Sequence, residues 1–389
     1  MTATTNHRLK TDFDVIIVGA GMAGITAAIL LAGQKKKILL IEKKSFPFHR
    51  VCGEYVSNEV LAFLLSIGFD PVAYRASKIR KLRISTPSGK NIFSTLDLGG
   101  FGLSRYTFDH ALVQLAIKNG SEVLTSTRVT DVTFKQNSFV VTTNSGMQIT
   151  AALVIGSYGK RDVLDKKLNR RFINSHTGYL GVKYHVNTDY PVDEIGLDNF
   201  EGGYCGIVRI EKEMYNICYL YKRSQHRPFD SIASLEDSIL FKNPVIRNIF
   251  RNSTFLSTHP EVINEISFVP KKLIENHIIM CGDSAGLIAP LCGNGMSMAI
   301  HSAKLLCELI ASSEILGSSE ITMEKRKLLE ENYRKLWNTN FSNRLFWGRA
   351  LQCIFGNTAL TGLAIQLIHS IPPAERWLIS QTHGKIIQP

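Results

Sequence analysis

The residues best placed to do chemistry in this chain begin with three glycines. In VIIVGAGMAGI, residues 15–25, Gly19, Gly21 and Gly24 stand in GxGxxG spacing between an apolar run and a helical pattern. Gly19 permits a tight turn, Gly21 lets the backbone approach a pyrophosphate, and Gly24 lets helix and strand pack closely. The first helical turn, with Ala23, offers free N–H groups and positive partial charge to the phosphates. Glu42 closes a second apolar run, KILLIE, about twenty residues on, where a carboxylate accepts ribose hydroxyls. Lys43 beside it adds a cation for the same ligand. The carboxylate argues against a 2′-phosphate here and leaves NAD and FAD both open.

A second glycine-rich turn lies far along the chain. In HIIMCGDSAGLIAPLCGNGMSMAI, residues 277–300, an apolar strand delivers Gly282 and Asp283 into a turn. Asp283 suits a hydrogen bond from a polyol hydroxyl. Pro290, Gly293 and Gly295 follow, and a helix opens at Met296 whose N–H groups face a ring edge that gains negative charge on reduction. A thiol and a carboxylate, Cys52 and Glu54, lie between the two turns in FPFHRVCGEYVS. They are the first candidates for catalytic proton transfer. Cys52 also reads as a small buried apolar residue, and Glu54 as a polar anchor or a helix N-terminal carboxylate.

These turns need elements to hold them. Phe13–Val18, the helical pattern Met22–Leu31 and the strand Lys37–Glu42 form a βαβ unit. Asn58–Gly68 and Thr107–Asn119 read as helices, and Lys78–Leu98 as a hairpin. GYLGVKYHV, GGYCGIVRI and MYNICYLY read as strands, with a helix over Ser231–Leu240 and helices after Met296. On those strands Tyr204 and Tyr219 are candidates for a substrate pocket or for the core.

At 389 residues the chain exceeds one simple core. Its net charge of +12 comes from scattered Lys and Arg with no nucleic-acid-reading motif. Nucleic acid is therefore not expected as a partner; anionic cofactors or a membrane surface are. Seven cysteines, with no CxxC and no zinc spacing, point to reduced thiols in a cytoplasmic protein and to no metal site. Two uncharged runs, Val15–Gln34 and Ala350–Ala374, are broken by glycines or by polar residues and prolines. Neither is expected to span a membrane. The second reads as a C-terminal helical cap, or as a surface-associated helical pair.

The GDSAG stretch resembles the GD motif of flavoprotein monooxygenases of the p-hydroxybenzoate hydroxylase type and of their relatives, the geranylgeranyl reductases and flavin-dependent halogenases. The motifs fall in the family's order along essentially the whole chain. The resemblance implies FAD held by both turns, with NAD(P)H as a transient reductant. It implies FAD contacts from Arg50, from Arg105 in LSRYTFDHAL, and from the Val129 backbone against adenine, with Asp109 capping or pairing on the helix surface. Cys52-Gly53-Glu54 departs from the Cys-Gly-Gly of the reductase branch. Tyr158-Gly159 departs from the family's Asp-Gly, although Lys160 and Arg161 remain to grip a phosphate.

The implied fold is α/β: a Rossmann-like FAD-binding domain with an inserted antiparallel β-sheet substrate domain and C-terminal helices. Residues 11–75, 99–170 and 271–318 would form the FAD domain, 76–98 and 171–270 the substrate domain, and 319–389 the helical region. The implied reaction is NAD(P)H-driven hydroxylation of a hydrophobic aromatic or polyketide-like small molecule through a flavin C4a-hydroperoxide. Reduction of a C=C bond in an isoprenoid or lipid is the alternative. Halogenation and non-catalytic FAD binding are further ones, the former without its usual tryptophan pair, since the tryptophans are 337, 347 and 377. A cytoplasmic location with peripheral membrane contact is expected.

Overall fold

The computed structural model describes residues 11–175, 177–223, 229–316, 321–355, 381 and 384–389. Apolar runs build its first sheet. Phe13–Val18 lies between two parallel partners, Ile38–Ile41 and Gln148–Gly156, and its side chains are almost all buried. Ile278–Met280 extends the sheet beyond Gln148–Gly156, and Glu122–Leu124 extends it beyond Ile38–Ile41. Parallel neighbours require a crossover, supplied by helix Met22–Gly33. Helices Arg105–Lys118 and Gly295–Ser312 pack against that helix, which explains why it carries no charge. The uncharged run from Val15 is thus a strand, a turn and a buried helix.

The second sheet is mostly antiparallel. It runs from Thr254–Phe255 through Tyr179–Asn187, Tyr215–Lys222, Gly203–Arg209, Glu194–Phe200, Ser77–Ser85 and Asn91–Gly102 to Tyr55–Ser57. It draws on more of the chain than residues 76–98 and 171–270, because Tyr55–Ser57 and the end of Asn91–Gly102 also pair into it. Its period-two alternation decides which side chains meet the first domain. Along Tyr179–Asn187, Leu180, Val182, Tyr184 and Val186 enter a separate outer core. Gly181, Lys183 and His185 take the opposite, inner face.

Helix Met323–Phe355 is anchored on the first domain. Arg326 Nη2 donates to Ala152 O at 3.0 Å, and Tyr333 Oη donates to Met280 O at 3.0 Å. Most of the Ala350–Ala374 run expected as a helical cap lies outside the described residues. Among the described residues, no helix is long and apolar enough to cross a membrane.

Candidate active site

Glycine geometry creates the floor of the site. Gly19 has φ +97°, and a Cβ there would lie 2.5 Å from the Tyr158 Cα. A Cβ on Gly24 would lie 2.1 Å from Gly19 O, so these two positions serve the turn and the packing behind it. Gly21 is open, with its nearest outside atom 3.9 Å from a built Cβ. Gly282, at φ +61°, brings the distal turn against the first fingerprint: a Cβ there would sit 2.8 Å from Ala23 Cβ. The two turns that are remote in sequence therefore touch.

Both helices that open at these turns lack a side-chain N-cap, at Gly21 and at Asn294. By contrast, Ser104 caps helix Arg105–Lys118. Both uncapped ends border one cavity of about 710 Å³. Every residue expected to hold the cofactor lines this cavity except Gly24 and Gly282, which lie directly behind it. Cys52, Glu54, Tyr204 and Tyr219 line it too.

The polar groups of this cavity are held in place. Glu42 Oε2 accepts from Ala20 N at 3.0 Å, and Oε1 from Lys44 N at 3.2 Å. Arg50 Nη2 reaches the same carboxylate at 3.3 Å, and its Nε donates to Asp109 at 2.9 Å. Arg105 forks onto Asp109 at 2.5 and 2.7 Å. Asp109 is 1 % exposed, so the expectation of a surface pair is corrected: it is a buried carboxylate clamping both arginines. Lys43 pairs with Asp162 at 2.7 Å. Tyr158, standing where the family pattern has Asp, turns its hydroxyl to Met280 Sδ at 3.4 Å. Among the described residues, the Asp283 carboxylate has no hydrogen-bond donor.

The Cys52–Glu54 segment crosses from the first domain to the inner face of the second sheet. Glu54 has a left-handed backbone, φ +55°, and no exposed surface. Its Oε1 accepts from Lys183 Nζ at 2.5 Å and from Arg105 N at 2.9 Å, and its Oε2 contacts His185 Nε2 at 2.6 Å. Burial alone would raise this carboxyl, but the Lys183 charge and the His185 hydrogen bond outweigh it and hold it down to about 2. His185 meets His49 edge-on, and His49 stacks on Tyr106. Cys52 is half-buried, with a free thiol against the Arg105 guanidinium.

Cross-strand register separates the two tyrosines. Tyr204 shares the inner face with Leu220, its partner, and lies near the thiols of Cys52, Cys218 and Cys292. Tyr219 pairs with Val182 and Cys205 on the outer face, and its hydroxyl donates to Glu236 Oε1 at 2.9 Å. Lys183 and His185 escaped the sequence reading, and Asp109 was placed on the helix surface. The spacing of Arg105 and Asp109 at i, i+4 was the one available signal.

The donor set fits FAD: two uncapped helix ends and the carboxylates of Glu42 and Asp283 converge on one cavity. Residues 12–318 match the family described as FAD binding domain, and the chain belongs to it. It is an FAD-dependent oxidoreductase of the superfamily that holds p-hydroxybenzoate hydroxylase-type monooxygenases, halogenases and geranylgeranyl reductases. The chain is 26% identical over 349 residues to digeranylgeranylglycerophospholipid reductase of Methanosarcina acetivorans, covering 85% of this chain and 81% of that one. Its fold matches flavin-dependent brominase Bmp2 with a TM-score of 0.76 at 17% identity, over 95% of this chain and 93% of that one. It matches a geranylgeranyl bacteriochlorophyll reductase-like protein of Thermoplasma acidophilum with a TM-score of 0.73 at 19% identity, over 96% and 92%.

Proposed function

We propose that this protein reduces carbon–carbon double bonds in an isoprenoid or similarly hydrophobic lipid, with NAD(P)H as the transient electron source. One observation carries the reading. The inner face of the second sheet presents Leu82, Ile84, Leu96, Ile195, Leu197 and Val208 to the cavity. Aliphatic walls of this kind take up a hydrocarbon chain by burial, at about 25 cal/mol per Å². Ser94 is the one serine or threonine on these strands that lines the cavity, and the Tyr204 hydroxyl joins it on the same inner face. The name of the Methanosarcina relative supports the same reading, and favours it over the hydroxylation expected from sequence.

Reduced FAD, when bound, supplies the hydride equivalent. Gly21, the two helix ends, Glu42 and Asp283 would hold the cofactor, and Arg50 and Arg105, fixed by Asp109, would orient it. The aliphatic wall positions the alkene and excludes water. Cys52 Sγ gives the proton that completes addition across the double bond, and solvent returns one to the thiolate. Glu54, ionised and held by three donors, anchors the segment instead of donating. A lipid substrate brings with it a peripheral membrane contact, expected to weaken with salt because the chain carries +12.

The test is an anaerobic incubation of the FAD-loaded protein with NADH or NADPH and polyprenyl lipids, read by mass spectrometry. Each reduced bond gains two hydrogens, one of them solvent deuterium in D2O. Cys52→Ala should slow this step and leave flavin reduction by NAD(P)H unchanged. A product that gains oxygen, formed only in air, would sink the proposal.

A further inference from the structure

Behind the cofactor cavity, two backbone turns are joined by a half-buried lysine that neither the motifs nor the proposed reaction use. The first turn, Tyr158–Arg161, and the second, carrying Asp283, both line the cavity. Lys271 Nζ donates to Lys160 O at 2.9 Å and to Asp283 O at 2.8 Å. Ser284 adds a second tie: its Oγ accepts from Gly159 N at 2.8 Å and donates to Gly159 O at 3.2 Å.

A second cation braces the first. Arg170 is fully buried, and its Nη2 donates to Lys272 O at 2.7 Å and to Ser284 O at 2.9 Å. The Phe172 ring is shared by both, with Lys271 Nζ 4.3 Å and Arg170 Cζ 5.2 Å from its centroid. Asp165 takes Arg170 Nη1 at 2.9 Å.

We propose that Lys271 is a positioning residue for FAD. It fixes the peptide of Asp283 against the Gly159–Lys160 turn, so that the Asp283 carboxylate and both turns stay aimed into the cavity. Burial drives the Lys271 amine down to about 8, against the pull of Asp283, so a cation at this place is costly. A methionine would fill the space without that cost, but would release both carbonyls. The hydrogen bonds made by the lysine are charge-assisted, the stronger class.

The experiment measures the FAD dissociation constant of the deflavinated full chain by flavin fluorescence, alongside the apo-protein Tm. Lys271→Met should weaken FAD binding about ten- to a hundredfold, the loss of one or two charge-assisted bonds. Arg326→Met, which removes a buried cation on the far side of the first domain, should lower Tm and leave the FAD constant within twofold. A merely structural Lys271 would behave like Arg326, and that result overturns the proposal. Should Lys271→Met fail to fold, Ser284→Ala decides, because it deletes only the hydroxyl bridging the same turns. An FAD constant raised threefold or more supports the assignment, and one within twofold of wild type refutes it.

Discussion

Replacing Glu54 by Gln tests whether the carboxylate is an anchor. The side chain keeps its shape and loses its charge. Lys183, 2 % exposed, is then left as a buried cation without its counter-ion. Breaking a buried pair from one side costs about 3–5 kcal/mol. Proton linkage gives a similar figure. A carboxyl that ordinarily titrates at 4.5 and is held to about 2 in the fold stabilises it by roughly 3 kcal/mol. Because the folded group titrates lower than the unfolded one, this stabilisation is present above about pH 4.5 and is lost as pH falls toward about 2. Urea unfolding of deflavinated wild type and E54Q between pH 7 and about pH 3.5 should therefore show a gap of about 3 kcal/mol that narrows in acid. A gap under about 1 kcal/mol at pH 7, or one indifferent to acid, would refute the reasoning. The backbone supplies an internal control. At φ +55° glycine is unstrained, so E54G should be more stable than E54A by about 1 kcal/mol.

Three further outcomes follow from the geometry. Gly24→Ala drives a methyl into Gly19 O and should cost about 1–3 kcal/mol, yielding purified protein with little flavin absorbance. Asp109→Asn loosens Arg50 and Arg105 together, so the FAD dissociation constant should rise about tenfold by fluorescence titration. Tyr219→Phe removes one hydroxyl from Glu236 in the outer core, costing about 1 kcal/mol of stability with KM for the lipid unchanged. A marked rise in that KM would return the Tyr219 hydroxyl to the pocket.

The turns that border the cavity were legible because close backbone packing selects glycine, and glycine spacing is how such backbone announces itself in a sequence. Gly19, Gly21, Gly282 and Gly293 needed no partner to be recognised. The side chains that brace the site were harder to read, for a physical reason. In GYLGVKYHV, alternation correctly puts Leu180, Val182, Tyr184 and Val186 on one face. The opposite face, Gly181, Lys183 and His185, has the composition of a solvent-facing edge. It is instead covered by the Val51–Glu54 segment, with Val51 Cγ1 3.2 Å from where a Gly181 Cβ would stand. No local pattern encodes that docking, because it joins residues about 130 apart, as the Glu54–Lys183 bond does at a separation of 129. Asp109 was misread in the same way: its spacing from Arg105 was visible, but not the burial of the helix face that carries it.

This division of labour bears on how one frame serves different reactions. A grip made of N–H groups and glycine turns tolerates wide change in side chains, so it constrains the cofactor and says little about the substrate. On the proposed reading the substrate is chosen on the inner face of the second sheet, where alternate residues of five strands point at the cavity. On that face the polarity changes along the sheet. Leu82, Ile84 and Ile195 lie at one end, and Cys218, its strand partner Lys183, and His185 at the other. A long apolar molecule with a reactive bond near its headward end would lie along this gradient, tail among the aliphatic strands and reacting carbon toward Cys52. Exchanging Ile84 or Leu197 for a polar residue should therefore change which lipids are accepted while leaving FAD affinity untouched. Exchanging Lys183 should disturb both, through Glu54.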